Sequence, residues 1–196
     1  MRAAFDKIET RKIRMETVQH SFSEKHFQGK HFPGKSLQRK AAVSFGCPVM
    51  EPYLIPVIHN STPSCINVPF MAEGQAFNVT SFSLKSGAEA RPYGAVIMDN
   101  VDDLDIALYG KALSAHPLFP LGADIVFVEV KSKGLLKARL YEKGHGESGF
   151  TESGACAAFV AARILQKTES SALVTMDNKT CSVEWDGVDG DVWSTD

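Results

Sequence analysis

Chemistry in this 196-residue chain concentrates between Tyr141 and Leu165, YEKGHGESGFTESGACAAFVAARIL. The first half sets Glu142 and Lys143 among closely spaced glycines, a tight polar turn. The second half, GACAAFVAARIL, is alanine-rich and carries only Arg163 as a charged residue, so it reads as a helix apolar on every side and therefore enclosed by other structure. Thr151–Gly154 (TESG) stands where the N-cap and first turn of that helix fall. The orphan N–H groups there would face the polar turn and form an anion site suited to a small carboxylate. Glu142 and Lys143 form either a ligand pair or a structural ion pair. Gly144, Gly146 and Gly149 read as turn formers and not as a phosphate cradle, since no P-loop lysine follows.

Other residue types that could do chemistry point nowhere as clearly. The segment QHSFSEKHFQGKHFPGKSLQRK writes His-Phe-x-Gly-Lys twice, at His26–Lys30 and His31–Lys35. His20, His26 and His31 match no compact metal-ligand spacing, lysines crowd them, and no metal is expected. The lysines and phenylalanines of one short loop, in a chain of net charge −2, are weak grounds for a nucleic-acid partner, and none is expected. Cys47, Cys65, Cys156 and Cys181 are widely spaced and suggest neither a Cys-x-x-Cys pair nor a disulfide framework. No apolar run approaches the roughly 20 residues of a membrane span, and MRAAFDKIETRKIRM lacks the apolar core of a signal peptide. A reduced, cytoplasmic protein without a membrane partner is the expectation. Asn60, Asn78 and Asn178 open chance glycosylation sequons, and Asp186–Asp191 (DGVDGD) fits a hairpin turn better than a calcium loop.

The elements that must position these groups follow from periodicity. IETRKIRMETV interleaves Ile8, Ile13, Met15 and Val18 with polar residues and reads as a strand; residues 18–40 read as a basic loop broken by Gly29, Pro33 and Gly34. Ala41–Val57 is a short strand followed by a proline-punctuated crossing. FNVTSFSL (Phe77–Leu84) alternates as a strand, and PYGAVIM (Pro92–Met98) reads as a strand buried on both sides. NVDDLDIALYGKALSAHPLFP opens with a capping aspartate, spaces Leu104, Leu108 and Leu113 for a helix, and is ended by Pro117. From Asp124 the rhythm is strand, strand, buried helix, strand, strand: IVFVEVKSK, LLKARLYEK, the helix, SALVTMDN and TCSVEWDG, with a last piece at DVWSTD. The helix is predicted from about Ser153 to Gln166, with Ala157, Phe159, Val160, Ala161 and Ile164 buried. Antiparallel strands wrapped around one helix are the expected architecture.

YEKGHGESGFTESGACAA resembles the second active-site motif of the diaminopimelate epimerase family, cofactor-independent epimerases of amino acids in lysine biosynthesis. That motif reads Tyr-Glu-Arg-Gly-x-Gly-Glu-Thr, two residues, then Cys-Gly-Ser/Thr-Gly-Ala-Cys-Ala. Aligned without a gap, Glu142 matches the motif glutamate and Lys143 its arginine; Thr151 falls on the catalytic cysteine, Glu152 on the glycine after it and Ser153 on the Ser/Thr. Gly46, Pro48, Ile55 and Pro56 match a Gly-x-Pro to Ile-Pro crossing of the family. RPYGAVIMDNVDDLD resembles an Asn-Pro-His stretch, with Arg91 in place of the substrate-binding asparagine, Pro92 retained and Tyr93 in place of the histidine near the catalytic cysteine. HPLFPLGADIVFVEV resembles Phe-Pro-x-x-x-Asn, with Asp124 replacing a second substrate-binding asparagine.

The resemblance implies an α+β fold of the diaminopimelate-epimerase type, an antiparallel or mixed sheet curled around a central buried helix. It implies a second epimerase-like lobe over 77–196 and a reduced first lobe over 1–76, since a Cys-Gly-Asn-Gly motif for the first lobe is not found. It implies an isomerase moving a proton next to a carboxylate, of the amino-acid epimerase or racemase class, with no cofactor. Thr151, Glu142 and Tyr93 take the catalytic positions, and Arg91, Asp124, Lys143, Glu152 and Ser153 the substrate-binding ones. Arg91, Asp124 and Glu152 are otherwise surface residues of a decayed site, and Tyr93 ordinary core. In the family one thiolate removes the α-proton and a second thiol protonates the opposite face, which suits cysteine because its pKa of roughly 8.5 is tunable to neutrality. A threonine hydroxyl is too weak an acid for either task, so the expected chemistry is one-sided, with Glu142 or Glu152 as base, or is diverged or impaired. The alternatives are a non-catalytic relative that binds an amino acid or a protein, and a fragment of a longer epimerase. The partners implied are a small carboxylate or amino acid and a second copy of the chain in a homodimer.

Overall fold

The computed structural model describes residues 42–55, 57–58, 64–86 and 89–195, all within the unit Gln38–Asp196. The strand expected over IETRKIRMETV, the basic loop 18–40 and the sequon at Asn60 lie outside the described residues. Those described form strands β1 (Ala42–Ser44), β2 (Val68–Ala72), β3 (Gln75–Ser86) and β4 (Glu89–Met98), helix α1 (Ile106–Ser114), and strands β5 (Asp124–Ser132), β6 (Leu135–Glu142) and β7 (Gly146–Ser148). Helix α2 (Glu152–Ile164) and strands β8 (Ser171–Met176), β9 (Lys179–Glu184) and β10 (Trp193–Thr195) complete them.

Every strand belongs to one mixed sheet in the order β1-β10-β9-β8-β6-β5-β4-β3-β2, with β7 paired to β6. Most neighbours are antiparallel, but β4·β5 and β6·β8 are parallel. Parallel neighbours cannot be joined by a tight turn and need a crossover; α1 supplies the first and α2 the second. The expected antiparallel set is therefore a mixed sheet with two helices, an α+β fold. β2 is an element that periodicity did not reveal. It pairs with β3 through the two-residue turn Glu73–Gly74, both at positive φ (49° and 78°), the backbone that suits the twist of a hairpin.

Helix α2 begins one residue before the expected start, with Thr151 as its N-cap. It ends at Ile164 because Gln166 turns into the left-handed region at φ 57°. Gly154 to Ala162 are all buried, Ala157, Phe159, Val160 and Ala161 completely, whereas Ile164 is half-buried. The helix touches β3, β4, β5, β6, β8, β9 and β10, which explains why no side of it is polar. Burying Phe159 alone removes enough apolar surface to contribute about 2–3 kcal/mol. Small residues let the layers approach. A Cβ on Gly154 would lie 2.8 Å from Thr151 Oγ1 and 2.9 Å from Leu140 Cδ2, and one on Gly110 in α1 only 2.6 Å from Tyr141 Cβ.

The turn at Glu142–Gly149 is more regular than its glycines suggested. Glu142 pairs with Gly146 and Tyr141 with Glu147, so a three-residue loop, Lys143-Gly144-His145, joins β6 to β7. Asp186–Asp191 lies between the antiparallel β9 and β10, the expected hairpin connection. Among the described residues no helix is long and apolar enough to cross a membrane.

Candidate functional site

Strand alternation places Arg91 and Tyr93 of β4 on one face. The parallel register sets Tyr93 beside Asp124, the first residue of β5, and Ile125 beside Tyr141 of β6, bringing Glu142 next to Asp124. Arg91 Nη1 stands 3.8 Å from Asp124 Oδ2 and 3.7 Å from Glu142 Oε1, a guanidinium between two carboxylates contributed by adjacent strands. Asp124 Oδ1 accepts the Lys143 backbone N–H at 2.8 Å, and Glu142 Oε2 accepts the Ser148 hydroxyl. The Lys143 ammonium donates to the Leu121 carbonyl. Glu142 and Lys143 form no ion pair with each other among the described residues, because Glu142 turns to Arg91 and the Lys143 ammonium to the backbone.

The same face meets the start of α2. Tyr93, buried beneath the cluster, forms a hydrogen bond with the Ser153 side chain. Burial pushes its phenol up to about 12, against the lowering effect of Ser153. At neutral pH Tyr93 is therefore a hydrogen-bond donor and not a base. Burial also raises Asp124, opposed by the Lys143 N–H and then by Arg91. Thr151 Oγ1 accepts the Gly154 N–H at 3.0 Å, so its hydroxyl oxygen caps the helix. Glu152 is half-buried in the first turn and makes no ion pair with Arg91 or Lys143 among the described residues. Inside the helix, burial pushes the Cys156 thiol well up, leaving a neutral packing group.

A cavity of about 370 Å³ opens over Arg91, Asp124, Glu142 and Lys143, with apolar walls from Leu54, Pro92 and Leu121. Of the eight site residues expected from sequence, four line this cavity. Tyr93 and Ser153 bond each other beside it, Thr151 caps α2, and Glu152 follows the cap. Sequence reasoning missed Ser148, His145 and the two leucines. Ser148 was recoverable from the hairpin, since a β7 strand folds back along β6 and returns its hydroxyl to Glu142. The leucines arrive from separate segments by chain path alone. Among the described residues no group of three or more His, Cys, Asp or Glu side chains could hold a metal ion.

A mixed α+β sheet with a polar cluster at the mouth of its buried helix is the class that fold and site define. No protein-family model matches the chain. Comparison with curated proteins is more informative. The chain is 32% identical over 154 residues to the diaminopimelate epimerase of Acetivibrio thermocellus, covering 78% of this chain and 52% of that one. It is 31% identical over 144 residues to that of Desulforapulum autotrophicum (74% and 49%) and 29% identical over 143 residues to that of Leptospira biflexa (73% and 49%). The chain is related to the diaminopimelate epimerases, and it spans about half the length of the curated relatives it matches.

Proposed function

We propose that the cavity binds a small carboxylic acid and that the protein is an isomerase of the epimerase type, moving a proton at the carbon next to that carboxylate. By its relationship the class is the amino-acid epimerases and racemases, with a place in lysine biosynthesis and no cofactor. The observation that carries the reading is the Arg91–Asp124–Glu142 cluster on the wall of one cavity. Arg91 attracts the carboxylate. Lys143 adds charge but lacks the bidentate fork of an arginine. Glu142 or Glu152 serves as base, and Tyr93, held by Ser153, stays protonated as a donor. Residues 77–196 form the epimerase-like lobe around α2 and 1–76 the remnant of its partner, in a cytoplasmic homodimer that binds neither nucleic acid nor membrane.

A second reading, a non-catalytic binding relative, is favoured by one observation: the Thr151 hydroxyl is spent on the helix cap, and no thiol stands in its place. NMR in D2O separates the two. Following α-proton loss across a panel of α-substituted acids, turnover-dependent exchange supports the isomerase. Shifts of cavity resonances without exchange leave only the binding role.

A further inference from the structure

Each carboxylate of the cluster already has one oxygen hydrogen-bonded within the protein, Asp124 Oδ1 by the Lys143 N–H and Glu142 Oε2 by the Ser148 hydroxyl. The other oxygen of each lies in ion-pair range of Arg91 Nη1, at 3.8 and 3.7 Å. The cations are not matched in the same way. A guanidinium carries five N–H donors; only Nη1 of Arg91 lies within ion-pair range, and Nε and Nη2 have no acceptor among the described residues. The Arg91 side chain is 48% exposed while those of Asp124 and Glu142 are 10% and 23%, so the positive group stands outermost over the two negative ones. Lys143 uses one of three ammonium protons on Leu121. An incoming ammonium would have to displace the guanidinium from both carboxylates, a bulky charge tethered on β4. An incoming carboxylate needs only the open edge of the guanidinium, which matches it in bidentate fashion.

We infer that Arg91 occupies the place of a ligand's amino group, so that the site reads the carboxylate of its ligand and discriminates against an α-ammonium. The ligand class is then a small carboxylic acid with an apolar body, a 2-hydroxy, 2-oxo or unsubstituted acid, in preference to a zwitterionic amino acid. The apolar body lies on Leu54, Pro92 and Leu121. This rests on the reading that the same cavity binds a small acid, and it departs from the amino-acid substrates of the related class in favour of acids without an α-ammonium.

Three probes of one carbon skeleton test it on the full chain: 4-methylpentanoate, leucine and 3-methylbutylamine, titrated while amide and Arg91 Nε–H resonances are followed by NMR. The acid is expected to bind about tenfold more tightly than leucine, with the amine causing no shift at Gly122–Asp124 or Glu142–Lys143. Arg91→Asn should weaken the acid by about tenfold or more and let the amine bind, since two carboxylates are released. Arg91→Lys, which keeps the charge, guards against a variant that fails to fold and should retain the order acid over leucine with weaker binding of both. Leucine binding as tightly as the acid, amine binding to the wild type, acid affinity unchanged in both Arg91 variants, or no cavity shift with any probe would each overturn the inference. Acid-selective binding without α-proton exchange upholds the inference and sinks the isomerase. Exchange on leucine with wild-type amine binding does the reverse.

Discussion

Thr151 offers the sharpest separation of structural from chemical roles. Its Oγ1 accepts the Gly154 N–H at 3.0 Å from an extended backbone (φ −133°, ψ 140°), ordinary N-cap geometry. The helix it starts is buried from Gly154 to Ala162, and Thr151 itself is half-buried, so water replaces a lost cap poorly. Thr151→Ala should therefore cost about 1–2 kcal/mol, a factor of about 5–30 in the folding equilibrium and a fall of about 2–8 °C in Tm for a chain of this size. Thr151→Ser keeps the acceptor and should stay within about 0.5 kcal/mol of the wild type. Thr151→Cys supplies only a weak acceptor and should lose most of what alanine loses. In exchange it sets a thiol at the helix N-terminus, where the positive end of the dipole lowers its pKa. That thiol should alkylate faster than Cys47, whose own pKa burial and nearby aspartates raise. The variant should gain slow α-proton exchange with retention and no inversion, because Cys156 and Cys181 are buried in the core and Cys65 lines a different pocket. Denaturation followed by circular dichroism, alkylation rates and chiral analysis after incubation in D2O measure the three effects. Thr151→Ala as stable as the wild type would refute the capping argument. Inversion by Thr151→Cys would require a second acid on the opposite face of the substrate and refute the one-sided chemistry.

Gly110→Ala should destabilise the protein by about 1–3 kcal/mol despite the better helix propensity of alanine, because its Cβ meets Tyr141 Cβ at 2.6 Å, an atom fixed to β6, and α1 must back away. Gly134→Ala, with nothing within 4 Å of the new atom, is the control and should be near neutral; equal urea midpoints for the two variants would contradict the packing account. Burial raises Asp124, so the folded state holds that proton more tightly than the unfolded one. Its contribution is then most favourable below the unfolded pKa of about 3.9 and declines as pH rises through the raised folded value, so Asp124→Asn should gain on the wild type over that interval. A stability difference between the two that is flat from about pH 3.5 to pH 6 in urea titrations would reject burial as the dominant influence.

The sequence by itself determined what local physics can write into a short stretch. Thr-Glu-Ser-Gly before an apolar run announced the start of α2 to within one residue, and the absence of any polar side announced its burial. Alternation and helical spacing located β3, α1 and the strand pairs that follow, although α1 is capped by Asp105 and so starts after Leu104, which the spacing counts into it. The family resemblance was legible too, and the curated relatives bear it out. Pairing order was not legible. That β4 lies parallel to β5 and β6 to β8 depends on where α1 and α2 return the chain, which no window of a dozen residues contains. Only the tertiary structure decided that Arg91, itself half exposed, stands over Asp124 and Glu142. Those side chains stand at positions 91, 124 and 142, and they meet because strand register aligns the ends of three neighbouring strands. Charge type is a local property of the sequence. Which charges neutralise one another, and so which ligand charge the cavity welcomes, is a property of the register.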